Sequence, residues 1–346
     1  MTSKERVYAA IHRRNPDRTP RFIWYGETVC SLLADKWKIS PDDVNVRAGN
    51  DVLQTWLSIN GQMERKAVQG ESFVDEWGIT WLREGYYNTV VVNPLAGLTA
   101  AEIENHPFPD PLDGRRYSLL DNLIERYGKT HFIGADISGT IFEPSYHLRG
   151  MENLLVDIML DSDECRAILD RVCAFSTAVA LEAAKRDVDW IWLGDDIGTQ
   201  RGMIMSPELW RAQIKPRMKK VIDAVRSVKP DMIFAYHSCG TVLPVIADLI
   251  EIGINVLNPI QESAADMDQK TIKQQFGHQL NLMCGPDTQQ FMTSVSPDGM
   301  ATETAYRNKL LSRNDGYIFA VSHTLQPDVP LENILAMLNE LNGKDD

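Results

Sequence analysis

From residue 131 onward, short apolar runs alternate with longer stretches in which apolar positions recur every three or four residues. The short runs, 131–136, 189–193, 232–236, 255–257, 280–283 and 317–321, predict strands, because a strand buried on both faces reads as a continuous apolar segment. The longer stretches, 151–160, 163–186, 207–228, 242–252 and 297–311, carry the helical period. Strands separated by helices over some 200 residues predict a parallel sheet with crossover helices.

Upstream the pattern is less regular. Thr2 or Ser3 caps a first helix with Val7, Ala10 and Ile11 on one face, and the proline-containing segment 15–20 breaks it. Residues 21–25 predict a short strand ending at Gly26, and residues 27–60 predict helix. Strand-like pieces at 73–81 and 86–92, closed by Pro107, Pro109 and Pro111, predict an antiparallel insertion or lid. With the N-terminal strand added, seven or eight strands result. The expected fold is therefore α/β, a (β/α)8 TIM barrel with an N-terminal helical and β-hairpin elaboration. It forms a single domain over 1–346, with the insertion at about 27–112 and the main barrel at 131–346. An open doubly wound sheet is the alternative, but no glycine-rich dinucleotide fingerprint follows any strand.

Composition narrows the function. At 44% hydrophobic and 24% charged, the 346 residues are those of an ordinary globular protein. No run is long enough to span a bilayer and the start lacks the apolar segment of a secretory signal, so a cytoplasmic location is expected. The five cysteines show no paired framework, which predicts reduced thiols and leaves metal binding or catalysis as their special roles. A net charge of −13 argues against a nucleic-acid surface and against a substrate with many carboxylates.

In such a barrel the active site lies at the C-terminal ends of the strands. The sharpest residues there are His237 and Cys239, two apart at the end of one run and therefore able to aim a nitrogen and a sulfur at one point, as zinc prefers. His323 and Cys284, at later strand ends, are rival third ligands. Two thiolates would leave the zinc unit near neutral; one thiolate and two histidines would leave it near +1 and more electrophilic. Asp195 and Asp196 form the most acidic strand end, and alternation lets only one of them enter the site, to hold a substrate or handle a proton. Trp24, Tyr25, Asp136, Tyr236 and Gln200 are the expected substrate-binding residues, with the aromatics suited to a flat donor.

Several stretches match a known family: Thr2 to Val7 running into Pro16-Asp17-Arg18-Thr19-Pro20, Arg149-Gly150-Met151-Glu152-Asn153-Leu154, Gly194-Asp195-Asp196-Ile197-Gly198-Thr199-Gln200, His237-Ser238-Cys239-Gly240 and Gln326-Pro327-Asp328-Val329-Pro330-Leu331. Over nearly its whole length the chain resembles the uroporphyrinogen decarboxylase superfamily. More closely it resembles the branch of corrinoid-dependent methyltransferases that includes methylcobalamin:coenzyme M methyltransferases and the methyl-ether demethylases of anaerobes. The resemblance implies a distorted barrel with zinc held by a His-x-Cys pair and a distant cysteine. His237 and Cys239 match the pair; where the family has Ala-Pro-Gly-Cys this chain has Ala320-Val321-Ser322-His323, which favours His323 over Cys284. It also implies a methyl group moved from a small methylated donor, here a methoxylated aromatic, to the cobalt of a separate corrinoid protein, since the chain has no Asp-x-His-x-x-Gly cobalt-ligating motif. The alternative is a metal-free decarboxylase. Against it, the family's arginine-rich first strand is here Phe22-Ile23-Trp24-Tyr25-Gly26-Glu27.

Overall fold

The computed structural model describes residues 1–59, 68–85, 87–313 and 316–343. Tyr86, expected to open a strand, and position 60, the end of the expected helical stretch, lie outside them. Seven parallel strands form one curled sheet in the order β1 (Val52–Trp56), β5 (Phe132–Ser138), β6 (Trp190–Gly194), β7 (Ile233–His237), β8 (Val256–Asn258), β9 (Asn281–Cys284) and β10 (Tyr317–Phe319). A separate antiparallel sheet contains β2 (Ser72–Val74), β3 (Thr80–Glu84) and β4 (Tyr87–Val92). Helices follow most strands of the large sheet, among them Phe142–Arg149, Asp163–Ala184, Lys215–Val228, Ile246–Ile252 and Pro297–Leu311.

Two expectations are corrected. Residues 27–60 are not helical throughout: helices Glu27–Trp37 and Val44–Arg47 give way to β1. Asp51, fully buried, fastens the start of that strand by accepting ion pairs from Arg6 at 2.6 Å and Arg18 at 2.7 Å. Nor, among the described residues, does an eighth strand close the sheet into a barrel. Residues 21–25 lie against the β10 side, where Phe22 donates its N–H to Phe319 O and isolated bridges join Arg21 to Phe319 and Tyr25 to Leu325. Towards β1 the ladder is replaced by a side chain. Asn50 accepts the N–H of Ile23 at 3.0 Å and donates to its carbonyl at 2.8 Å, so both backbone groups are satisfied without a strand partner.

Strict alternation divides the core. Phe22, Val52, Phe132, Trp190, Trp192, Ala235, Val256, Met283 and Ile318 pack together on the concave side of the sheet. Their strand neighbours, including Ile133, Ile191, Leu193, Phe234, Tyr236, Leu257, Leu282, Cys284 and Phe319, pack outward against the helices. This parity decides which side chains reach the site.

Candidate metal centre and active site

His237 ends β7 on the concave side, and the chain then turns so that Cys239 stays beside it. The turn needs Gly240, whose φ of +75° is left-handed and whose backbone lies so close to the loop after β6 that a Cβ would come within 2.4 Å of Gly198 C. That close approach lets Asp196 Oδ1 accept the backbone N–H of Cys239 at 2.7 Å. His323 arrives on the loop after β10, its ring centroid 6.0 Å from that of His237.

Ligand atoms of His237, Cys239 and His323 all lie within 4.8 Å of one another. The 3.5 Å between Cys239 Sγ and His237 Nε2 fits a shared tetrahedral ion, for which bonds of ~2.3 Å to sulfur and ~2.05 Å to nitrogen require about 3.6 Å. The histidine is set for this. Asn258 Nδ2 donates to Met283 O at 3.0 Å, which turns Asn258 Oδ1 towards His237 Nδ1 at 2.7 Å. Nδ1 therefore carries the proton and Nε2 keeps its lone pair for a metal. Burial, aided by His237, lowers the pKa of His323 to about 4, so its ring is a neutral ligand at pH 7. Burial, then Asp196 and Glu143, push the Cys239 thiol well above its ordinary range, the environment that a bound cation reverses. The donor set fits zinc.

Parity places the other candidates. Cys284 points outward and is fully buried in the helix-facing core, so it is not among the converging groups. Tyr236 also faces outward, its hydroxyl 3.4 Å from Asp195 O, because His237 beside it faces inward. Of the aspartate pair, Asp196 enters the cavity, with Oδ1 3.7 Å from His237 Nε2. Asp195 is fully buried away from it, accepting the backbone N–H groups of Thr140, Ile141 and Glu143 at 3.0–3.1 Å at the start of helix Phe142–Arg149. Burial pushes its pKa up to about 7 against those hydrogen bonds. Gln200 is exposed and reaches Gln289 at 3.4 Å rather than the cavity.

The cavity itself measures about 750 Å³. Trp24 forms its inner wall, 5.5 Å from the His237 ring and 5.2 Å from that of Trp192. Tyr25 lines it with a buried hydroxyl that has no hydrogen-bond partner among the described residues. Asp136 lines it too, its Oδ2 accepting from Gln54 Nε2 at 2.7 Å while Gln54 Oε1 accepts from Trp190 Nε1 at 3.0 Å. Trp77 and Trp81, from the antiparallel sheet region, complete the aromatic lining.

Sequence reasoning missed Glu143. It lines the cavity one turn into the segment after β5, hydrogen-bonded to Tyr146 and to the backbone of Asp196 and Gly139. Burial, then Asp196 and Asp195, raise its pKa well above the carboxylate range. An acid seven residues beyond Asp136 has no strand-end signal. Only the fold of the connecting loop brings it back.

A family model described as Uroporphyrinogen decarboxylase matches residues 89–343. Among solved structures, a methyltransferase from Methanosarcina mazei superposes with a TM-score of 0.73 at 17% identity, covering 99% of each chain, which shows a shared fold over the full length. Weaker likenesses include a 2,3-dimethylmalate lyase (TM-score 0.40, 13% identity, 99% of this chain and 84% of that one). Another is D-psicose 3-epimerase from Clostridium cellulolyticum H10 (TM-score 0.42, 9% identity, 97% and 96%). No curated protein matches the chain.

Proposed function

The chain belongs to the uroporphyrinogen decarboxylase family, and within it we propose a zinc-dependent methyltransferase that moves a methyl group from a methoxylated aromatic donor to the cobalt of a separate corrinoid protein. The observation that carries this reading is the convergence of His237, Cys239 and His323 beside an aromatic cavity that the two histidines line. The fold shared with the Methanosarcina methyltransferase supports it.

His237, Cys239 and His323 would hold the zinc, which would supply a Lewis acid for the ether oxygen of the donor. A Co(I) corrinoid on the partner would supply the electron pair for the new bond to the methyl carbon, and the pair of the broken C–O bond would leave with the aryl oxygen. Trp24, packed against His237, provides a face for the ring and fixes how the ether approaches. Burial, with Asp196 and Asp195 nearby, favours the protonated form of Glu143, a cavity group that would supply a proton to the released aryl oxygen. Asp196 accepts the Cys239 backbone N–H and so fixes where the sulfur sits beside His237. The decarboxylase reading has less support. Arg21 is drawn away from the cavity to Asn342 at 2.8 Å, and Arg116 is tied to Glu76 at 2.6 Å.

Metal analysis tests the reading directly. Purified protein is expected to carry one zinc, retained in Cys284→Ser and lost in His237→Ala and Cys239→Ala. Asn258→Ala, which spares the ligands, should weaken zinc about 10- to 100-fold in a chelator competition. A screen of methoxylated aromatics against cob(I)alamin, followed by absorbance, should show methyl transfer. Zinc-free protein with unimpaired turnover would refute the assignment.

A further inference from the structure

We infer that His147 receives a hydroxyl carried by the donor ring on the side away from its methoxyl; this rests on the methyl-transfer reading and names the donor class within it, a methoxyphenol. Glu143 and His147 stand four residues apart on helix Phe142–Arg149 and both line the cavity, one turn or ~6 Å apart along a single face. Their neighbours mark two ends of that wall. Glu143 is hydrogen-bonded to the backbone of Asp196, whose carboxylate lies 3.7 Å from His237 Nε2. His147 instead meets Trp81 of the antiparallel sheet, their ring centroids 4.9 Å apart. A ring with its ether oxygen at the metal, beside Glu143, would present its opposite side to His147.

The imidazole is held ready for such a contact. Trp81 and Tyr146 pack edge-on to it, Tyr146 at 4.3 Å, and Trp81 is itself fixed by Nε1 donating to Asp75 Oδ2 at 2.8 Å. Asn93 Nδ2 donates to the His147 carbonyl at 2.7 Å and steadies the backbone beneath. Yet neither ring nitrogen of His147 has a hydrogen bond among the described residues, and burial alone lowers its pKa to about 4. At pH 7 the ring is uncharged, with one nitrogen to donate and one to accept. A hydroxyl does both, so it can meet either tautomer, and it supplies the hydrogen bond that this partly buried ring lacks.

The test pairs 4-methoxyphenol with 4-methylanisole, in which a methyl replaces the hydroxyl, in calorimetric titrations of the zinc-loaded protein at pH 7.5. The phenol is expected to bind at least tenfold more tightly. Equal affinity, or no binding of either, overturns the inference. In His147→Phe the preference should fall below threefold with zinc content unchanged, and His147→Gln, which keeps a donor and an acceptor, should restore part of it. A preference that survives in His147→Phe places the hydroxyl elsewhere, the metal included, and also overturns the inference. 2-Methoxyphenol, whose hydroxyl lies beside the ether, should lose less than threefold in affinity on His147→Phe; a loss as large as that of the para isomer contradicts the placement. Methyl transfer to cob(I)alamin is followed separately. Transfer from both para ethers at equal affinity sinks the hydroxyl contact and leaves the methyltransferase standing. A preference that depends on His147, without transfer from any ether, does the reverse.

Discussion

Adjacent residues of one strand end do opposite work here. Asp195 and Asp196 are chemically identical, yet one is spent on three backbone N–H groups and the other faces His237. Asp195→Ala strands those donors in the interior and should cost about 2–4 kcal/mol in urea unfolding. Asp196→Ala should change stability by less than about 1 kcal/mol while reducing turnover, because its carboxylate is partly exposed. Equal destabilisation by the two would contradict this division. Alternation alone says that only one of the pair enters. The same rule applied to His237 excludes Tyr236, so that misplacement was avoidable from sequence. Cys284 was harder, because its orientation depends on the register of β9 against β8 and β10, which no local pattern specifies.

At the scale of elements, the strands legible in the sequence are those buried on both faces: β5, β6, β7, β8, β9 and β10 each fall within a residue or two of the expected run. β1 escaped notice because Gln54 and Thr55 interrupt its apolar positions; Gln54 is inside, spent on Asp136 and Trp190. Loop packing was equally hidden. Gly198 and Gly240 meet backbone to backbone, and nothing in either loop announces the other. Gly240→Ala combines a left-handed φ with that collision, so a loss of more than about 2 kcal/mol is expected, measured by thermal melting. Zinc affinity should fall with it, since the contact holds Asp196 against Cys239. Gly202→Ala, where a Cβ meets nothing, is the control and should be silent.

For the whole molecule, acid response follows from buried histidines. Burial holds His147, against Trp81 and Tyr146, at a pKa of about 4, below the ~6.5 of an exposed histidine. Between those values the unfolded chain binds a proton that the folded one refuses. Stability is therefore complete above pH 6.5 and declines as pH falls towards 4, by up to about 3 kcal/mol from this residue. His147→Gln should flatten that part of the profile of melting temperature against pH; an unchanged slope would assign the acid sensitivity elsewhere.

The Asn50 clamp on Ile23 also bears on how a chain of this kind comes into being. Trp24 is seated between a side-chain clamp near residue 50 and backbone partners at Phe319 and Leu325, some 300 positions away. Contacts of such separation are the slowest to form. During synthesis the N-terminal segment is made first, but it has half of its support until the residues of β10 have left the ribosome. The wall against which a donor ring would lie is thus translated well before β10 and completed only once β10 and Leu325 are in place.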